Sequence, residues 1–193
     1  MNFNPFKYSI TKKFGTDVIK IRPAQISDRE LVWNGYKQAP KDFFYHIPEV
    51  TRENIDVWYP KEGKIDYNKT LPYNAILLDE NDNEIKFAGN ATLIFHQIER
   101  FNHVALIGLG VLPPFQGRGL GTVLTELMIQ VSRAKPGIAR LELEVCTKNN
   151  NARQIYLKCG FHEDGILRKR WHYPDGKYDD IIIMSIIFPE KFT

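Results

Sequence analysis

Cysteine is almost missing from this chain: 193 residues hold two, Cys146 and Cys159. Two thiols build no disulfide framework, so a reducing cytoplasm is the expected compartment. Histidine is scarce too. The five are scattered and none joins a Cys/His cluster with metal-ligand spacing, so no metal centre is expected. No run of about 18 apolar residues occurs, which excludes a membrane-spanning helix. The opening "MNFNPFKYSITKKF" carries no apolar core of signal-peptide length. Charge of one sign is also lacking. Lys and Arg number 26 against 23 Asp and Glu, and a net +3 is too mild to imply a nucleic acid or membrane partner. No repeat, linker or low-complexity stretch divides the chain.

What is present is enough apolar material for one substantial core. The chain is 43% hydrophobic and holds 12 Phe, 9 Tyr and 3 Trp, a composition that argues against disorder.

Periodicity places the elements. "DVIKIRP" alternates as a strand, and "YSITKK" can meet it across Gly15. "SDRELVWNGYKQ", opened by Ser27 and Asp28, is expected as a helix. The aromatic loop "APKDFFYHIPEV" follows, then a short helix over residues 51–59. "YNAILLDE" and the long "EIKFAGNATLIFHQ" read as strands, with Gly89 as a bulge. "HVALIGLGV" is apolar nearly throughout and is expected to be buried on both faces. "TVLTELMIQVSRA" is a helix, "ARLELEVCT" an alternating strand, and "NNARQIYLKCG" a helix closed by glycine. "ILRKRWHY" and "YDDIIIMSIIF" flank the hairpin signal "PDG". The order is ββαα–βββ–α–β–α–ββ, one α+β domain.

The stretch "FQGRGLG" sits between a strand and a helix. Glycine turns there expose free N–H groups at a helix N-terminus, which suits phosphate through hydrogen bonds and the helix dipole. The Gly-Lys-Ser/Thr ending of a P-loop is absent, and Gly117, Gly119 and Gly121 do not fit the dinucleotide spacing G-x-G-x-x-G. A plain tight connection would also explain the glycines. Downstream, "LEVCTKNNNARQIYLKCGF" places Glu142 and Glu144 on one strand face, opposite Leu141, Leu143 and Val145.

The two stretches together resemble the GCN5-related N-acetyltransferase (GNAT) superfamily. The family loop Gln/Arg-x-x-Gly-x-Gly/Ala matches Gln116 to Gly121, after Val111-Leu112-Pro113. Its following motif matches Asn149, Ala152, Tyr156, Gly160 and Phe161, and its closing pattern matches Gly176, Asp180 and Met184. The resemblance spans residues 17–188 and implies a twisted mixed sheet of about seven strands. That sheet is splayed between its fourth and fifth strands, here "IGLGV" and "LELEV". Residues 1–16 would be an N-terminal extension with room for an added strand, ahead of a domain over 17–193.

The resemblance implies acetyl-CoA as acetyl donor, with CoA as product. Its pyrophosphate would lie on the backbone of Gln116, Gly117, Arg118, Gly119, Leu120, Gly121 and Thr122. Its pantetheine would pair with Leu109, Gly110 and Val111 like an added strand, and Asn149 would also contact it, unless Asn149 only caps the next helix. A neutral amine then attacks the thioester directly. Tyr156 would be the general acid, and Glu144, twelve residues earlier, the candidate base. Glu144 could instead be a solvated or ion-paired strand residue, with water as base. Cys146 and Cys159 read as packing residues, His103 and His162 as loop or surface residues, and Arg168-Lys169-Arg170 as a solvated strand face.

The acceptor is an amine-bearing small molecule or a peptide N-terminus. Phe44 and Tyr45 in the aromatic loop are candidates to line its site. The nearest branches act on the N-terminal alanine of ribosomal protein or on small amines and amino acids; polyamines and antibiotics stay open. So do a homodimer and, as a different class, a non-catalytic CoA-binding regulatory module.

Overall fold

The computed structural model describes residues 3–40, 50–60 and 63–192. The aromatic loop over 41–49, with Phe44 and Tyr45, lies outside the described residues. Among the described residues, eight strands and four α-helices follow the expected order. They are β1 (Ile10–Phe14), β2 (Asp17–Pro23), α1 (Arg29–Tyr36), α2 (Arg52–Trp58), β3 (Thr70–Leu78) and β4 (Glu84–Phe95). Then come β5 (Val104–Val111), α3 (Leu120–Ala134), β6 (Arg140–Cys146), α4 (Asn150–Lys158), β7 (His162–His172) and β8 (Tyr178–Ile187). One sheet holds all eight strands in the order β1-β2-β3-β4-β5-β6-β8-β7. The strand beyond the expected seven is β1, which pairs antiparallel with β2 around Gly15 at φ +66°. No described helix is long and apolar enough to cross a membrane.

Pairing through the sheet assigns its two faces, because residues directly opposite one another share a face. Arg22 lies opposite Asn74, Asn74 opposite Asn90, and Asn90 opposite Gly110. On β5 this face continues to Leu106, which lies opposite Glu142 of β6. Helices α1 and α2 cover it: Asp28, just before α1, accepts from Arg22 and Asn74, and Tyr59, just after α2, donates to Asn74 at 3.0 Å. The other face carries Val111, and α3 and α4 cover it. A Cβ on Gly121 of α3 would lie 3.6 Å from Ile155 of α4 and 4.0 Å from Val111.

The start of α1 departs from expectation. Ile26–Asp28 form a 3-10 turn, and Asp28 does not cap α1. Its carboxylate takes both Arg22 Nη atoms, at 2.8 and 2.7 Å, inside the protein. That charge-assisted pair outcompetes a cap, which is worth about 1 kcal/mol. Strand β7 begins at His162, earlier than expected. Its basic run bulges at Lys169, φ +50°, where the Lys169 amide donates to the Asp180 carboxylate at 2.7 Å.

The bulge at Gly89 is where the sequence places it. Ala75 lies opposite Gly89 but Ile76 lies opposite Phe87, so Ala88 is extra. The Ala88 carbonyl accepts from the Leu112 amide at 2.9 Å, tying the bulge to the turn after β5. A Cβ on Gly89 would stand 2.4 Å from the Gly110 carbonyl oxygen. Gly89→Ala must therefore push β5 away from β4, an overpacking loss of about 1–3 kcal/mol. A thermal melt should show the variant several degrees below wild type; equal melting temperatures would contradict the close approach.

Candidate active site

Strands β5 and β6 run parallel and share three registered pairs, ending at Leu106 opposite Glu142. Past that point Ile107–Val111 and Leu143–Cys146 have no registered partner in each other, and the sheet opens as a V. This corrects the expectation that β5 is buried on both faces. Its first residues, Val104 and Ala105, are buried, but Gly108 is exposed and Leu109, Gly110 and Val111 are half-buried. An apolar sequence reports affinity for a core, not whether the neighbouring strand stays alongside.

The glycine loop lies where β5 leaves the sheet. Gly117 and Gly119 have φ +72° and +89°, a region that favours glycine, and Gly119 is the N-cap of α3. Among the described residues, no backbone carbonyl accepts from amides 117–122; the first helical bond runs from Val123 to Gly119 at 3.1 Å. These free donors at the positive end of a fifteen-residue helix form an anion cradle. Its floor has no side chain at Gly117 or Gly119, where an added Cβ would meet nothing within 4 Å. These features fit a pyrophosphate.

Two exposed side chains of the loop bond to other parts of the chain. The Gln116 amide donates to the Val111 carbonyl at 2.8 Å, fastening the loop to the end of β5. Arg118 pairs with Asp17 at the start of β2, at 2.6 Å. Part of its charge is thus met within the chain. Nothing in the sequence around Asp17, 101 residues away, marks it as this partner.

Tyr156 and Glu144 belong to opposite faces of the sheet. Tyr156 is buried in α4 next to Ile155, its ring 5.8 Å from that of Phe161. Burial pushes its hydroxyl up to about 12, so the group keeps its proton at neutral pH. Glu144 is half-buried and shares the face of Glu142, the α1/α2 face, while Leu143 and Val145 point to the α3/α4 side. Glu144 lies in the stretch of β6 that has parted from β5, and Tyr156 lies in the helix that follows that strand. Asn149 caps α4, its side-chain oxygen accepting from Ala152 at 3.2 Å. Burial raises both cysteine thiols, which keeps them protonated. Among the described residues no group of His, Cys, Asp or Glu is placed to hold a metal ion.

Comparison with known proteins agrees with this geometry. A family model described as the acetyltransferase (GNAT) family matches residues 37–161. The [ribosomal protein bS18]-alanine N-acetyltransferase of Escherichia coli (strain K12) is 37% identical over 142 residues, 74% of this chain and 87% of the relative. Among solved structures, a GNAT-family acetyltransferase from Streptococcus pneumoniae aligns with a TM-score of 0.71 at 23% identity, covering 88% of this chain and 99% of that one. Spermidine N-acetyltransferase from Vibrio cholerae, solved with CoA and spermine, aligns at 0.70 and 21% identity, covering 91% and 98%.

Proposed function

The chain belongs to the acetyltransferase (GNAT) family and is an acyltransferase that draws on acetyl-CoA; from that premise we propose that it acetylates a primary amine by direct attack, with Tyr156 as general acid and Glu144 as general base. The observation that supports this reading is a buried tyrosine on a helix that covers one face of a diverging strand pair and a half-buried carboxylate on the other face. Acetyl-CoA supplies an acetyl group activated as a thioester. Glu144 takes the proton of the incoming amine, directly or through a water. Tyr156 gives its proton to the departing sulfur. A backbone amide among Leu109, Gly110 and Val111 donates to the carbonyl oxygen as it gains charge. Amides 117–122 hold the pyrophosphate, with Arg118 nearby, and Asn149 contacts the cofactor with the side-chain amide its cap leaves over. The acceptor is an amine-bearing molecule of the kinds the relatives are named for, a protein N-terminus or spermidine.

Two measurements test this. A panel of peptides, polyamines, amino acids and aminoglycosides, read by thiol release, should yield turnover with at least one class. Tight CoA binding without transfer to any of them would indicate a regulatory module instead. Calorimetry should find acetyl-CoA bound at least about tenfold more weakly by Gly119→Glu, since a carboxylate there repels phosphate and a non-glycine residue resists positive φ. Equal affinities would displace the pyrophosphate from the loop.

A further inference from the structure

A second polar cluster stands at the open end of the V. Asp179 is 4% exposed, yet its carboxylate holds the ammonium of Lys148, a side chain 70% exposed in the turn between β6 and α4. The Tyr173 hydroxyl donates to the other carboxylate oxygen at 2.7 Å, and the Tyr173 ring centre lies 6.0 Å from Lys148 Nζ. An alkylammonium on a flexible stem thus rests between a buried carboxylate and an aromatic ring, an arrangement that recognises cations.

The cluster shares the face of Glu144. Glu144 lies opposite Ile183 and Cys146 opposite Ile181, and two more residues along β8 reach Asp179 on the same side. Four residues at about 3.3 Å each put Asp179 roughly 13 Å from Ile183. An amine must lose its proton to attack a thioester, whereas an ammonium held on a buried carboxylate keeps it. The Asp179 site therefore suits a cation that does not react.

We propose that Asp179 and Tyr173 bind a second, non-reacting ammonium of the acceptor, and that Lys148 is an internal occupant which the acceptor displaces. This rests on the reading that the reacting amine lies beside Glu144. The acceptor then carries two ammonium groups on the order of 10–15 Å apart. A linear polyamine provides that, and so does a peptide with lysine near its N-terminus.

Kinetics on the full chain separate this from a merely structural ion pair. The probes are an eight-carbon linear diamine against the monoamine of equal length, and an Ala-Gly-Lys peptide against its norleucine counterpart. Lys148→Met should lower KM for the dications about threefold and Asp179→Asn should raise it about tenfold, with KM for the monocations and for acetyl-CoA within about twofold of wild type. The relative response of the two pairs tells polyamine from peptide. Opposite signs are the signature: a structural pair would move both variants the same way for every substrate, and that result would overturn the proposal. Equal use of dication and monocation by wild type would also overturn it. Calorimetry with the diamine alone reads the site without turnover. Binding that is tighter in Lys148→Met and lost in Asp179→Asn supports the site even if no acceptor is acetylated, in which case the N-acetyltransferase reading is what fails. Diamine binding unchanged in both variants overturns the site.

Discussion

Tyr156→Phe should lower kcat by about one to three orders of magnitude while acetyl-CoA affinity changes little, as loss of a general acid requires. The hydroxyl acts only as the sulfur departs, so it favours the transition state over the bound ground state. The phenyl ring preserves the contact with Phe161, 5.8 Å between centres, so the helix keeps its seat. Because the tyrosine titrates only at about 12, wild-type activity should show no loss through its deprotonation below about pH 10. Glu144→Gln in parallel should flatten the rise of kcat/KM with pH if the carboxylate is the base, and leave it intact if water serves alone. Steady-state rates on variants with wild-type melting curves decide this; an unchanged kcat in Tyr156→Phe removes the hydroxyl from the mechanism.

Asp28→Ala should be the most damaging single change to stability. Asp28 is 4% exposed and Arg22 is 7% exposed. The carboxylate accepts from both Arg22 Nη atoms, from the Asn74 amide at 2.9 Å and from the Gln25 backbone at 2.9 Å. Removing it strands a buried guanidinium whose remaining carboxylate partner is Glu84, bonded through Nε at 2.8 Å. Breaking such a pair costs about 3–5 kcal/mol, which lowers Tm by about 6–20 °C in a chain of this size. A melt within about 2 °C of wild type would show the network to be dispensable. Acid should attack the same place. Hydrogen bonding from Arg22 holds the Glu84 carboxyl down at about 2, against an ordinary value of 4.5. Its contribution is complete above pH 4.5 and is lost as pH falls toward 2.

Local chemistry was legible in the sequence and partnership was not. Alternation in β6 fixed which side Glu142 and Glu144 occupy, because a strand's period is set by its own backbone. Gly89 marked its bulge and the glycine loop its helix start for the same local reason. The exposure of Leu109 to Val111 could not be read, since it depends on β6 turning away. Asp28 carries an N-cap residue type, but its use was decided by Arg22 on the adjacent strand and Asn74 on the next. Arg118 reads as a free cation until Asp17 is seen beside it. The Lys148–Asp179 pair joins two residues from separate elements, and neither stands out in its own segment.

Three residue pairs join β5 to β6, and every other ladder in the sheet is antiparallel. That junction is therefore the mechanical fault line of the protein. Most of the antiparallel ladders zip from neighbouring segments of chain, whereas the parallel one must wait for α3 to loop the chain back, a slower closure with little register to reward it. On either side stand a five-strand half and a three-strand half, joined in the sheet by the pairs that end at Leu106. The width of the V is set by that joint and not by the stiffness of either sheet.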